Sequence, residues 1–211
     1  MKIRQLWMFA AVFLPLPIKL SLYRRLLGWE IEENVKIGFS YIESDHVIIG
    51  KNAVIGNLNI IRCVKFFQMG ADSSVLNLNQ FFGCRNDLKW PGKLIIGRSA
   101  HIMSHHFIDV NGQVIIGNNT VIGGRDTHFW SHGLTYASSE PEFTAFEIMI
   151  GENVYIGARS TLIGCCIPDN AVVGAGSVVT KLFPEENCRF LIAGNPATVK
   201  KRYETTLNSS I

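Results

Sequence analysis

Five of the six histidines fall between positions 101 and 132: His101, His105, His106, His128 and His132. An imidazole close to its ordinary pKa can take a proton from a hydroxyl at neutral pH, and as a neutral ring it can ligate a metal. The five cysteines, Cys63, Cys84, Cys165, Cys166 and Cys188, match no zinc or redox spacing. Adjacent Cys165 and Cys166 would point to opposite faces of a strand. They read as small core residues in a reducing compartment. No Gly-rich phosphate loop precedes the histidines, which argues against a nucleotidyltransferase.

The elements that must hold these side chains are repeats. Ile-Gly or a close equivalent recurs at Ile37-Gly38, Ile49-Gly50, Ile55-Gly56, Met69-Gly70, Ile96-Gly97, Ile116-Gly117, Ile122-Gly123, Ile150-Gly151, Ile156-Gly157 and Val173-Gly174. A six-residue step fits neither a helix nor a long alternating strand. The aliphatic residue is expected to point inward, and the Gly to sit where backbones crowd. The small polar residue two places on (Asn52, Ser99, Asn119, Asn153, Asn170) is expected at a corner, because such residues tolerate left-handed angles. About three hexads per turn give a triangular coil of parallel strands. One residue is missing near Leu162 to Ile167, so that coil must distort. The pattern lapses between His132 and Ile148, which reads as a loop over residues 133–147 thrown out of the coil.

The expected organisation is a hydrophobic, helical segment over 1–30, the coil over 31–181, and an exit turn, short capping helix from Val199 and tail over 182–211. The uncharged run Leu6 to Ile18 is too short to span a bilayer, which takes about 20 apolar residues. It reads either as an interfacial helix over residues 1–25, touching a membrane peripherally, or as a helix packed on its own domain or in an oligomer interface. A formal net charge of +3 without clustered Lys and Arg in the middle of the chain gives no footing for nucleic acid.

Three motifs in order are similar to the C-terminal signature of the hexapeptide-repeat acyltransferases. They are Tyr155-Ile156-Gly157-Ala158-Arg159-Ser160, then Val173-Gly174-Ala175-Gly176-Ser177-Val178-Val179-Thr180-Lys181, then Ala193-Gly194-Asn195-Pro196-Ala197. Within that superfamily the chain most resembles the maltose/galactoside acetyltransferases and the exopolysaccharide O-acetyltransferases. The resemblance implies an all-β, left-handed parallel β-helix, a homotrimer, acetyl-CoA as co-substrate and a carbohydrate acceptor. It implies O-acetyl transfer in the cytoplasm, with peripheral contact at the inner face of the membrane as a further expectation. By position His132 matches the family's general base, and the Ala158 backbone amide its oxyanion donor. Ala158, Ala175, Thr180, Lys181 and Lys201 match CoA contacts. Met103 stands where the family often has an Asn, so His105 or His106 would make that acceptor contact, with His128 and Trp130 beside it.

Two rivals use the same fold. A γ-carbonic anhydrase-like hydratase would bind zinc through His101 and His106 with His128 or His132. A trimeric glycan-binding scaffold would need none of this chemistry. The acyltransferase reading expects no metal ligand set.

Overall fold

The computed structural model describes residues 3–84, 90–136, 140–184 and 188–204. Short strands wind into a coil of three parallel ladders. The first ladder stacks Lys36–Ile37, Val54–Ile55, Ser74–Val75, His101–Ile102, Val121–Ile122, Tyr155–Ile156 and Ala171–Val173. The second takes the far ends of Tyr41–Ile49 and Ile60–Met69, then Lys93–Ile96, Gln113–Ile116, Glu147–Ile150 and Cys166–Ile167. The third takes the near ends of those two long strands, then Gln80–Phe82, Phe107–Asp109, His128–Trp130, Thr161–Ile163 and Val178–Val179.

The hexads explain why. In the first ladder Ile37, Ile55, Val75, Ile102, Ile122, Ile156 and Val173 stack in register and are all buried. A Cβ built on Gly97 would meet Asn118 N at 2.7 Å, so the next coil leaves no room for a side chain. Asn52, Ser99, Asn119, Asn153 and Asn170 all take positive φ at the corner between the second and first ladders, joined by Asn34 and Asp72. The corner between the first and third ladders is also left-handed. There Leu58, Leu78, His105, Asp126 and Arg159 adopt φ between 58° and 65°. For Leu this is an uncommon conformation, and no polar residue announces it.

Inside that second corner runs a buried polar column. Asn79 N–H donates to Asn59 Oδ1 at 2.9 Å, and His106 N–H donates to Asn79 Oδ1 at 2.9 Å. Thr127 N–H then donates to His106 Nδ1 at 3.2 Å. Buried amides and carbonyls between coils are thus satisfied by side chains.

The missing residue lies where it is expected. Met149 pairs with Cys166, Tyr155 with Val172 and Thr161 with Val178, each one residue short of three hexads. All three spans share the tight corner at Gly164, φ +44°.

Helices Ile3–Ala11 and Leu16–Leu26 cover the open end of the first coil, burying Met8, Ala11, Leu22 and Tyr23. Lys19 is buried with them, and its Nζ donates to the Ile37 and Gly38 carbonyls at 3.4 and 2.7 Å. Burial holds its ammonium pKa below the usual lysine value. Among the described residues no helix is long and apolar enough to cross a membrane.

Two expectations need correction. The capping helix from Val199 is a strand: Ala197–Glu204 turns back antiparallel onto Cys188–Gly194, which itself extends the first ladder. The open edge of that strand offers unpaired backbone groups, and the β-branched Thr198 and Val199 suit pairing better than helix. The excursion over 133–147 is also more ordered than a loop. His132–Thr135 pairs antiparallel with Glu142–Ala145, and Glu147 already belongs to the second ladder, opposite Gln113. The tail beyond residue 204 lies outside the described residues.

Candidate active site

Strand Phe107–Asp109 lies beside His128–Trp130, one coil apart. Past the end of these strands the chain turns the corner from the third to the second ladder. Asp109 ends its strand with its side chain buried, and His132 follows Trp130 round the same corner with a side chain 29% exposed. Asp109 Oδ2 accepts from His132 Nδ1 at 2.6 Å, from Ser131 N–H at 2.9 Å and from Ser131 Oγ at 3.1 Å. Oδ1 accepts from Asn111 Nδ2 at 2.7 Å and Asn111 N–H at 3.2 Å. A buried carboxylate is tolerable because these donors replace its water.

The network fixes the imidazole. Facing a carboxylate, Nδ1 must carry the proton, which leaves the lone pair on Nε2. Trp90 lies against the ring, with centroids 5.3 Å apart and planes 38° apart. Ser131 Oγ in turn accepts from Gly112 N–H at 2.9 Å, tying the corner to the coil before it. A Cβ on Gly112 would fall 2.6 Å from Ser131 O, so this corner admits only glycine.

Neither Asp109 nor Trp90 is a candidate from sequence spacing. The one signal for Asp109 is an acid within the apolar run Phe107-Ile108-Asp109-Val110.

A groove of about 390 Å³ opens on the outer face of the third ladder. It is lined by Gln80, His105, Phe107, Asp126, His128 and Trp130, with Leu78 at its edge. The Phe107 and Trp130 rings stand 5.0 Å apart, tilted by 40°. The structure therefore gathers His105, His128 and Trp130. His106 borders the groove but does not face it. Its imidazole is buried in the polar column and accepts from Thr127 N–H, so the expected acceptor contact is replaced by a structural one. Burial lowers its pKa to about 4, opposed by the Asp126 carboxylate and reinforced by His105 and His128.

The residues matched to CoA contacts divide between two edges of the third ladder. Ala158 and Ala175 lie before its strands Thr161–Ile163 and Val178–Val179, at the left-handed corner. Thr180 and Lys181 follow Val178–Val179, on the edge that carries His132. Ala158 N–H donates to no acceptor among the described residues, although Gly157 N–H and Arg159 N–H on either side donate to Val173 O and Arg125 O. Lys181 Nζ lies 5.1 Å over the Phe183 ring, and Lys201 Nζ lies 4.6 Å over Tyr203 on the terminal strand.

The histidines of the hydratase reading diverge. His101 sits on the first ladder with its Nδ1 2.8 Å from Ser74 Oγ, whereas His106 is turned inside the coil. Among the described residues no three His, Cys, Asp or Glu side chains gather as metal ligands.

Residues 147–181 match the family model described as the hexapeptide repeat of succinyl-transferase. The galactoside O-acetyltransferase of Escherichia coli K12 is 33% identical over 137 residues, covering 58% of this chain and 64% of that relative. The chain spans less than two thirds of the curated relatives it matches. Two structures of point mutants of AntD, an N-acyltransferase from Bacillus cereus, share the fold. The one in complex with dTDP and coenzyme A gives a TM-score of 0.57 at 14% identity, over 77% of this chain and 85% of that one. The other, in complex with dTDP-4-amino-4,6-dideoxyglucose and coenzyme A, gives 0.52 at 16% identity, over 81% and 84%. The chain thus carries a hexapeptide-repeat match over residues 147–181, is similar over part of its length to a galactoside O-acetyltransferase, and shares its fold with the AntD N-acyltransferase structures.

Proposed function

We propose that this protein transfers an acetyl group from acetyl-CoA to a hydroxyl of a sugar or glycan, with His132 as general base. The observation that carries the reading is the Asp109–His132 pair, with His132 two residues past Trp130 of the aromatic groove. A sugar hydroxyl is a weak nucleophile until its proton leaves. His132 Nε2 takes that proton as the oxygen attacks the thioester carbonyl, a contribution typically of about 10²–10⁴ in rate. Asp109 stabilises the imidazolium that forms and keeps the ring oriented. Ala158 N–H donates to the oxyanion of the tetrahedral intermediate. His132 then returns the proton to the departing thiolate.

Ala158 lies three residues before Thr161, the ladder partner of His128, and His132 lies four residues after His128. At about 3.3 Å per residue this separates them by roughly 20 Å. One reacting carbonyl cannot reach both within a chain. The reading therefore takes the site to lie between copies, with the His132, Thr180 and Lys181 edge of one facing the Ala158 and Ala175 edge of the next. A head-to-tail contact of this kind closes into a ring, here the trimer of the resembled family, and the coil is taken to have that family's left-handed sense. The galactoside O-acetyltransferase relative and the groove's aromatic rings support a sugar acceptor. The free cysteines fit the reducing cytoplasm.

The test is CoA thiol release from acetyl-CoA over a panel of mono- and oligosaccharides. The reading expects acceptor-dependent release that His132→Ala abolishes while acetyl-CoA binding persists. Acceptor-dependent release that is unchanged in His132→Ala would overturn the assignment of the base.

A further inference from the structure

Helix Ile3–Ala11 is apolar on two sides: Met8 and Ala11 are buried on the coil, and a second apolar stripe faces away from it. Its polar side chains face the protein: Gln5 Nε2 donates to the buried Glu43 Oε1 at 2.7 Å, and Arg4 Nη2 donates to Asp45 O at 2.6 Å. Its other large apolar side chains, Ile3, Leu6, Trp7 and Phe9, face outward. Leu6 and Trp7 follow Ile3 at three- and four-residue helical spacing, and Phe13 lies just past the helix end; Ile3 and Phe13 are 76% and 63% exposed. Phe13 packs edge-on against Phe39 and Phe9, so the stripe ends in an ordered aromatic cluster. Helix Leu16–Leu26 adds exposed Ile18 and Leu26 beside Arg25. An ordinary surface helix in water has an apolar stripe only on the core and polar residues on its outer face.

The charge of this region has one sign. Residues 1–29 hold five Lys or Arg and no Asp or Glu. Arg4, Lys19 and Arg24 hydrogen-bond only to backbone carbonyls, and none of them forms an ion pair among the described residues. Their positive charge is therefore not cancelled locally. Two identical copies of this patch brought face to face would repel. A layer of anionic headgroups over apolar chains complements both properties.

We propose that the two N-terminal helices dock the protein on an anionic lipid surface. Ile3, Leu6, Trp7 and Phe13 enter the boundary between headgroups and acyl chains, and the exposed Arg24 and Arg25 meet the headgroups, while Lys19 stays buried. With nine residues the first helix lies in the interface and does not span it. The inference is independent of the acyl-transfer reading.

The experiment is co-sedimentation of the full chain with vesicles of phosphatidylcholine alone and with a third of the lipid replaced by phosphatidylglycerol. Wild type is expected in the pellet with the anionic vesicles and in the supernatant with the neutral ones, with salt weakening the binding. Leu6→Glu/Trp7→Glu alters only exposed positions and is expected to lower partitioning by about tenfold or more. The proposal is overturned if wild type stays in the supernatant with both vesicles, if it binds both equally, or if the double variant binds as wild type does. It is also overturned if, without vesicles, the double variant sediments as a smaller assembly than wild type, because the stripe would then join copies of the chain.

Discussion

Asp109 Oδ2 and His132 Nδ1 stand 2.6 Å apart although 23 residues separate them in sequence. The coil makes this contact, because strand Phe107–Asp109 lies next to His128–Trp130 and both chains turn the same corner. The proton on Nδ1, and with it the free lone pair on Nε2, follows from that one distance.

Asp109→Asn is therefore expected to lower kcat by about 10²–10⁴, approaching the loss in His132→Ala. The amide keeps one acceptor oxygen, for Ser131 and His132 or for Asn111 but not for both, and no longer stabilises an imidazolium. KM for acetyl-CoA should change little. Steady-state kinetics of both variants check this, and an Asp109→Asn enzyme with wild-type kcat would remove Asp109 from the mechanism.

His106 gives the fold a pH dependence. The folded pKa of about 4 lies below the ordinary 6.5, so between those values the unfolded chain binds more protons than the folded one. Stability is then full above about pH 6.5 and falls as the pH drops toward 4, by on the order of 3 kcal/mol. His106→Asn should fold, because Asn59 and Asn79 already occupy the same place in neighbouring coils. Thermal melts from pH 7 to pH 4 should show a smaller loss for this variant than for wild type, with activity at neutral pH within a few-fold.

Two glycines should respond differently to alanine. At Gly97 the new Cβ meets the next coil at 2.7 Å, and at Gly176 it meets nothing within 4 Å. Gly97→Ala is expected to cost about 1–3 kcal/mol or to prevent folding. Gly176→Ala should cost only the left-handed backbone penalty, about 1–2 kcal/mol. Denaturant melts rank the pair.

Trp130 tests the acceptor groove. Its ring beside Phe107 offers a flat apolar surface to the C–H face of a sugar. Trp130→Ala is expected to raise acceptor KM about tenfold, the effect of about 1.4 kcal/mol, with KM for acetyl-CoA unchanged. Equal changes in both constants would count against a sugar platform.

Much of the coil is legible in the sequence because each hexad repeats a local instruction: the inward Ile, the crowded Gly and the Asn at the corner are visible one at a time. The missing residue near Gly164 shows for the same reason. The Leu58 and Leu78 corners do not show, since neighbouring coils rather than their own preferences hold them left-handed. Nor does the inward turn of His106, which depends on Asn79 and Thr127 from other coils. His132 is found by resemblance, but its partner is not, because Asp109 meets it through stacking. The terminal strand is misread because Val199 to Glu204 takes its conformation from the edge it joins.

That terminal strand also closes the first ladder. A stack of parallel ladders has no natural stopping point, and an unguarded last rung would template the first rung of another molecule. Here the closing strand runs the opposite way, its register shifts between Leu191 and Ile192, and it carries Lys200, Lys201 and Arg202 outward. Reversed polarity, a bulge and a basic rim each discourage edge-to-edge addition. Three ordinary surface residues and one irregularity thus discourage addition at this edge of the first ladder.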